Sequence, residues 1–118
     1  MATDNAIYTK SYCFANDIVR CYKALKAEHE YNLSNQMERS GTAIGALVRE
    51  AQFAQSTADF INKMYVALKE ANETQYWLNL LHDNNYINEE QYINLFNQCR
   101  QLTAMLVAII KTSKSNLH

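Results

Sequence analysis

Proline is missing from this chain of 118 residues, and glycine occurs only twice. A sheet protein needs such residues at its turns, so a sandwich or barrel is excluded. What remains is a chain of long helices with few interruptions. An excess of basic charge is also missing: the net charge is -1 and the pI about 6.3. A protein that binds nucleic acid broadly carries such an excess, so any contact of that kind has to come from a local patch. No run approaches the roughly 20 apolar residues of a membrane span. The longest strongly apolar run, Ala104 to Ile110, has seven. The start, M-A-T-D-N-A, has no basic stretch leading into an apolar one, so no secretory signal is expected. The expected location is the cytoplasm, with no membrane contact.

Metal and catalytic signatures are lacking too. His29, His82 and His118 form no ligand pattern, and no Glu-x-x-His pair exists for a ferritin-like di-iron site. Zinc spacing of Cys and His is absent. No Arg is followed by His at four to six residues, the signature of certain helical ribonucleases. No Ser or Cys has an obvious His partner. The expectation is a protein that is not an enzyme and holds no cofactor or metal. Cys13, Cys21 and Cys99 are odd in number and lack C-x-x-C spacing. They read as three reduced, packed thiols.

What is present is apolar periodicity. Hydrophobic residues make up 48% of the chain, enough for the core of one domain. The spacing predicts a first helix over about 5–28. Ile7, Ser11, Phe14, Ile18, Cys21 and Leu25 alternate steps of three and four, and Tyr8, Tyr12, Ala15, Val19 and Tyr22 widen that apolar face. A second helix is predicted over about 33–54. It contains Gly41 and Gly45, four apart; glycine inside a helix costs about 1 kcal/mol against alanine, so two on one face point to a close helix approach. A third helix is predicted over 57–83, capped by Ser56 with Asp59 three positions on. Its core stripe is Phe60, Met64, Ala67, Ala71, Thr74, Leu78 and Leu81. A fourth is predicted over about 89–112, capped by Asn88, with Glu89 and Glu90 in the first turn and Tyr92, Phe96, Cys99, Leu106 and Ile110 as its core. Short connections make sequential helices antiparallel neighbours. The fold class is all-α, an antiparallel up-down-up-down four-helix bundle in a single domain.

One stretch is specific enough to suggest a family. Gln36, Arg39, Ser40, Gly41, Thr42, Ile44, Gly45, Glu50 and Ala51 are followed by Ser56, Asp59, Phe60, Lys63, Ala67, Leu68, Lys69, Glu70, Ala71, Glu73, Thr74, Tyr76 and Trp77. Helix 1 (Phe14, Ala15, Ile18, Val19, Tyr22) and the segment 88–110 fit as well. The pattern resembles the four-helix-bundle family of the 23S rRNA-intervening sequence protein, over nearly the whole chain. The resemblance implies a cytoplasmic bacterial protein that assembles as a homopentamer, with no catalytic residue. A related branch, the accessory proteins of diversity-generating retroelements, binds a reverse transcriptase and nucleic acid. Those proteins are markedly basic, whereas this chain is near neutral.

An antiparallel hairpin with its turn near residue 55 places Glu50 near Lys63, Arg39 near Asn72 and Glu73, and Gln36 near Gln75. These pairs read as ion pairs and hydrogen bonds that set the register, or as a polar cluster for a ligand. Tyr76, Trp77 and Leu80 extend off the third helix's stripe, and residues 104–110, including Met105 and Ile109, are apolar nearly all round. That surplus points to a subunit interface, against the plainer reading of a wide core face. Charge is also uneven. One predicted end holds Lys10, Arg49, Lys63, Lys111 and Lys114 against Asp4, Glu50 and Asp59. The other holds Lys23, Lys26 and Arg39 against Glu28, Glu30, Glu38, Glu73, Asp83, Glu89 and Glu90. In a cyclic oligomer this gives one basic and one acidic rim. The first expectation is a homo-oligomeric scaffold or adaptor for a protein partner, with or without RNA or DNA. The alternative is an RNA- or DNA-binding module that uses Arg49, Lys63, Lys111 and Lys114.

Overall fold

The computed structural model describes residues 5–117. Asp4 and His118 lie outside the described residues. Four helices run up and down in order: α1 (Asn5–Ala27), α2 (Asn32–Ala51), α3 (Thr57–Asp83) and α4 (Glu89–Ser115). Sequential helices pack side by side, and α1 closes against α4 more lightly. Among the described residues, backbones of the diagonal pairs, α1 with α3 and α2 with α4, do not approach each other. The result is an antiparallel four-helix bundle of 50 × 20 × 19 Å.

The core follows the three-and-four spacing. Ile7, Phe14, Ile18 and Leu25 of α1 meet Met37, Ile44 and Val48 of α2, Met64, Ala67, Ala71, Leu78 and Leu81 of α3, and Leu95, Leu102, Leu106 and Ile110 of α4. Two expectations are corrected here. The second stripe of α1 is not core: Tyr8, Tyr12 and Val19 are exposed, because the narrower stripe already fills the space between helices. In α4 the core stripe is Leu95, Cys99, Leu102, Leu106 and Ile110, while Tyr92 and Phe96 flank it half-buried.

Both glycines face α1. A Cβ on Gly41 would stand 2.9 Å from Ile18 Cγ1, and one on Gly45 would stand 3.2 Å from the Ser11 carbonyl oxygen. The close approach expected of them is therefore an α1–α2 contact. Across the core, Thr74 Oγ1 donates to Ser40 Oγ at 2.9 Å, a buried hydrogen bond between α2 and α3. Among the described residues no buried side-chain nitrogen or oxygen lacks a partner.

The helix ends show how the chain turns without proline. His29 and Asn85 adopt φ of 66°, and the amides of Glu30 and Tyr86 return to Leu25 and Leu81, closing α1 and α3 in the Schellman manner. Helix α2 stops at Ala51, three residues short of the expected 54, because the Gln52 and Phe53 amides tighten onto Arg49 and Glu50. Helix α4 runs to Ser115, beyond the expected 112. Asn88 and Gln91 form a reciprocal capping box, with Asn88 Oδ1 accepting from the Gln91 amide at 2.8 Å.

The start of α2 is capped from outside. Glu30, which the sequence places among the acids of the acidic end, is buried. Its carboxylate accepts from the Ser34 amide at 2.7 Å and the Leu33 amide at 3.3 Å, and its carbonyl accepts from Ser34 Oγ at 2.6 Å. Glu30→Ala is expected to cost about 1 kcal/mol of unfolding free energy, the usual worth of an N-terminal cap, as read by urea denaturation. Glu30→Gln should cost less, since an amide oxygen still caps.

Candidate functional site

The polar residues expected to pair along the α2–α3 hairpin fall into one network and one isolated pair. Arg39 Nη2 donates to Glu73 Oε2, and Arg39 Nη1 to Glu70 Oε1 at 3.4 Å. Trp77 Nε1 also donates to Glu73 Oε2, at 3.1 Å. The indole N–H first, then Arg39, hold the Glu73 carboxyl below the usual carboxylate range, against the opposing effect of partial burial. Lys63 Nζ meets Glu50 Oε1 at 3.4 Å. Gln36 and Gln75 do not meet. Gln75 turns to the other side of α3 and donates to Thr103 Oγ1 of α4 at 3.2 Å.

The contacts between α2 and α3 lie on one edge of the bundle. A carboxyl with a lowered value stabilises the fold above about pH 4.5, its ordinary value, and that contribution is lost as pH falls through the lower folded value. Glu73→Gln is expected to flatten the acid limb of a stability-against-pH curve below pH 4.5. The effect should be modest, about 0.2–1 kcal/mol, because both partners are more than a third exposed.

The four cations expected to form a nucleic-acid rim surround one end of the bundle, each on a different edge or face. Arg49 lies over the Tyr8 ring, 5.3 Å from its centroid, on the α1–α2 edge. Lys63 sits with Glu50 on the α2–α3 edge. Lys114 donates to Tyr65 Oη at 3.0 Å on the α3–α4 edge, and Lys111 is exposed on α4. Lys10 lines a groove between α1 and α4. Between them stands Phe53, on the turn from α2 to α3, with 83% of its surface exposed. The sequence gives no hint of Phe53, because the predicted second helix runs through it to 54, whereas α2 stops at Ala51.

The opposite, acidic end is tied together by an aromatic clasp. His82 stacks on Tyr92 with ring centroids 4.0 Å apart, and His82 Nε2 lies 2.6 Å from Glu89 Oε1. Tyr92 Oη donates to Asn79 Oδ1 at 2.6 Å. This clasp fixes the α3–α4 turn.

The residues expected at an oligomer interface lie at two separate places. Tyr76 is 55% exposed on α3, with Trp77 and Leu80 half-buried beside it. Met105 and Ile109 are half-buried against the core, continuing the Gln98–Leu102 stripe that faces α1.

Among the described residues no group of three or more His, Cys, Asp or Glu side chains could hold a metal, and no helix is long and apolar enough to cross a membrane. The expectation of three packed thiols is corrected at Cys13, which is exposed. Cys21 and Cys99 are buried, and burial pushes their thiols up to about 11 and about 12. Iodoacetamide at pH 7.5 is expected to modify Cys13 alone in the native protein, and all three thiols after unfolding, read by intact mass.

Comparison with known proteins places this geometry. The family model of the 23S rRNA-intervening sequence protein matches residues 3–108. A crystal structure from Bacteroides thetaiotaomicron, described as a protein of unknown function from the S23 ribosomal protein family, is 50% identical. It aligns over 89% of this chain and 98% of its own, with a TM-score of 0.86. Among curated proteins none matches.

Proposed function

Because the chain belongs to the 23S rRNA-intervening sequence protein family, we propose that it is a non-enzymatic, self-assembling bundle. It holds copies of itself in a closed ring and offers that ring as a scaffold for a protein partner. One observation carries this reading: two exposed aromatic stripes at opposite corners of the bundle. Tyr8, Tyr12 and Val19 are exposed along α1, Tyr12 to 59%, with Ala15 and Tyr22 half-buried on the same stripe. Tyr65, Leu68 and Tyr76, together with the polar Lys69, Asn72 and Glu73, border a shallow groove along α3. Helices α1 and α3 are diagonal and parallel, so the stripes point away from each other.

A two-fold dimer needs one self-complementary patch. Two different patches suit head-to-tail contacts, which form a ring where the rotation between copies closes and an open filament where it does not. The heights also match. At 1.5 Å per residue, Tyr12 and Tyr65 stand about 10 Å and 12 Å along their helices, and Tyr22 and Tyr76 about 26 Å and 28 Å. Parallel subunits therefore bring apolar side chains level with one another, and aromatic anchors of this kind dominate interfaces. Five copies is the closure that the family resemblance implies.

Cysteine cross-linking tests the arrangement. In a Cys13→Ser background, Tyr12→Cys combined with Tyr65→Cys should give a ladder of cross-linked species ending in a closed ring. Neither single variant should cross-link. Dimers formed by Tyr12→Cys alone would indicate a two-fold contact and sink the head-to-tail reading.

A further inference from the structure

The seam between α1 and α4, where neighbouring helices pack most lightly, is an open furrow that shares no residue with either tyrosine stripe. It holds two recesses. One, of about 280 Å³, is lined by Lys10 and Cys13 of α1 and by Gln98, Gln101 and Leu102 of α4. The other, of about 240 Å³, is lined by Asp17, Arg20 and Ala24 of α1 and Asn94 of α4, together with the buried Cys21 and Leu95. At 1.5 Å per residue, the two recesses lie about 12 Å apart along the bundle. Each is smaller than the roughly 300–1,000 Å³ of a small-molecule pocket, and each suits a single side chain.

A row of carboxamides runs along the same furrow. Gln91, Asn94, Gln98 and Gln101 follow steps of three, four and three, so they share one face of α4. The chain itself uses only part of the row. Gln98 Nε2 donates to Asp17 Oδ2 at 2.9 Å and to Asn94 Oδ1 at 3.3 Å, and Gln91 Oε1 accepts from the Asn88 amide at 3.0 Å. Among the described residues, Gln98 Oε1 and Asn94 Nδ2 have no partner, Gln101 makes no side-chain hydrogen bond, and Lys10 has no ion pair. A carboxamide offers both a donor and an acceptor, and the main chain of an extended peptide offers the same in return. A helix does not, because its amides and carbonyls are bonded internally.

We propose that the furrow binds an extended peptide segment of a protein partner. The segment's main chain lies on Asn94, Gln98 and Gln101. An acidic side chain enters the recess beside Lys10, and an apolar one enters the recess beside Cys21 and Leu95. The spacing fits, because side chains i and i+4 of an extended chain lie on one side, about 13 Å apart. Peptide recognition commonly takes its affinity from main-chain bonds and its specificity from pockets for alternate side chains. The inference rests on the reading of a scaffold for a protein partner, but not on ring closure.

The experiment is fluorescence anisotropy with two labelled peptides, Ser-Glu-Thr-Val-Thr-Leu-Ser and its reverse, whose β-branched residues favour the extended form. One of them should bind saturably and slow the alkylation of Cys13, which lines the first recess. Replacing its Glu by Gln, or Lys10→Gln in the protein, should weaken binding roughly 2- to 5-fold, and the two changes together no further. Gln101→Ala should weaken it roughly 2- to 10-fold, and N-methylation of the peptide's Thr-Val-Thr amides at least as much. Ala24→Trp, which fills the second recess, should abolish it. Lys10, Ala24 and Gln101 are exposed, so these variants should fold as the parent does, and circular dichroism checks this. Saturable binding of neither peptide, an indifferent Ala24→Trp variant, or tighter binding of an alanine-based helical peptide with Glu and Leu eight apart would each overturn the proposal. A protein partner held equally by the Ala24→Trp variant would overturn the furrow and leave the scaffold reading intact. A monomer that binds the peptide as described would support the furrow and overturn only the ring.

Discussion

Tyr12→Glu is expected to turn the assembly into monomers of unchanged helicity. The side chain is 59% exposed in a single chain, so a carboxylate there meets water and leaves the bundle intact. In the proposed ring the same position would be covered by the Tyr65 stripe of the next copy. A charge buried there without a partner is strongly unfavourable, and truncating one aromatic anchor alone often costs about 2 kcal/mol or more. Every interface in a closed ring carries the substitution, so the losses accumulate over the whole assembly. Tyr65→Glu should act in the same way from the other side. Glu90→Gln, an exposed change at the acidic end, is the control and should leave the mass unchanged. A Tyr12→Glu protein that keeps the parent's mass would show that α1 does not face a neighbour.

Gly41→Ala is expected to destabilise the bundle, against the ordinary effect of that substitution. Inside a helix the change normally gains about 1 kcal/mol. Here the added Cβ would stand 2.9 Å from Ile18 Cγ1 and 3.0 Å from Ile18 Cγ2. Ile18 is fully buried and β-branched, so its χ1 has little room to move. Overpacking of this kind costs about 1–3 kcal/mol and should outweigh the helix gain, for a net loss of up to about 2 kcal/mol. At fixed protein concentration that lowers the melting temperature by several degrees. The sign reverses when the obstacle is removed. In an Ile18→Ala background, itself destabilised by about 2–5 kcal/mol, Gly41→Ala should stabilise, because its methyl enters the space left behind. A stabilising Gly41→Ala in the parent protein would mean that α1 and α2 are not held this closely.

The parts of this fold that are legible in sequence are those set by local periodicity. The α1 stripe from Ile7 to Leu25 and the α3 stripe from Phe60 to Leu81 are core throughout, because steps of three and four fix one helical face with no knowledge of the partner. Arg39 with Glu73 and Glu50 with Lys63 are legible for a similar reason, since an antiparallel hairpin fixes height along the helices. Gln75 departs from its expected partner because height does not fix side: rotation of α3 against α4 gives it Thr103 instead of Gln36. Tyr92 and Phe96 look like core residues for their size, although Leu95 and Leu102 hold the matching spacing. Glu30 gives no sign of its burial in sequence, because its carboxylate caps α2 from a position usually left to water. The candidate sites are less legible than the fold. Phe53 and the pairing of Tyr8 with Arg49 and Tyr65 with Lys114 depend on how four chain segments converge at one end, which no local pattern encodes.

The most direct test of the central claim is the mass of the assembly in solution, by sedimentation equilibrium over a hundredfold range of concentration. A single species of five times the 13.6 kDa chain mass, constant across that range, is the expected result. A mass of 13.6 kDa at every concentration would contradict the account, and the two tyrosine stripes would then need another explanation.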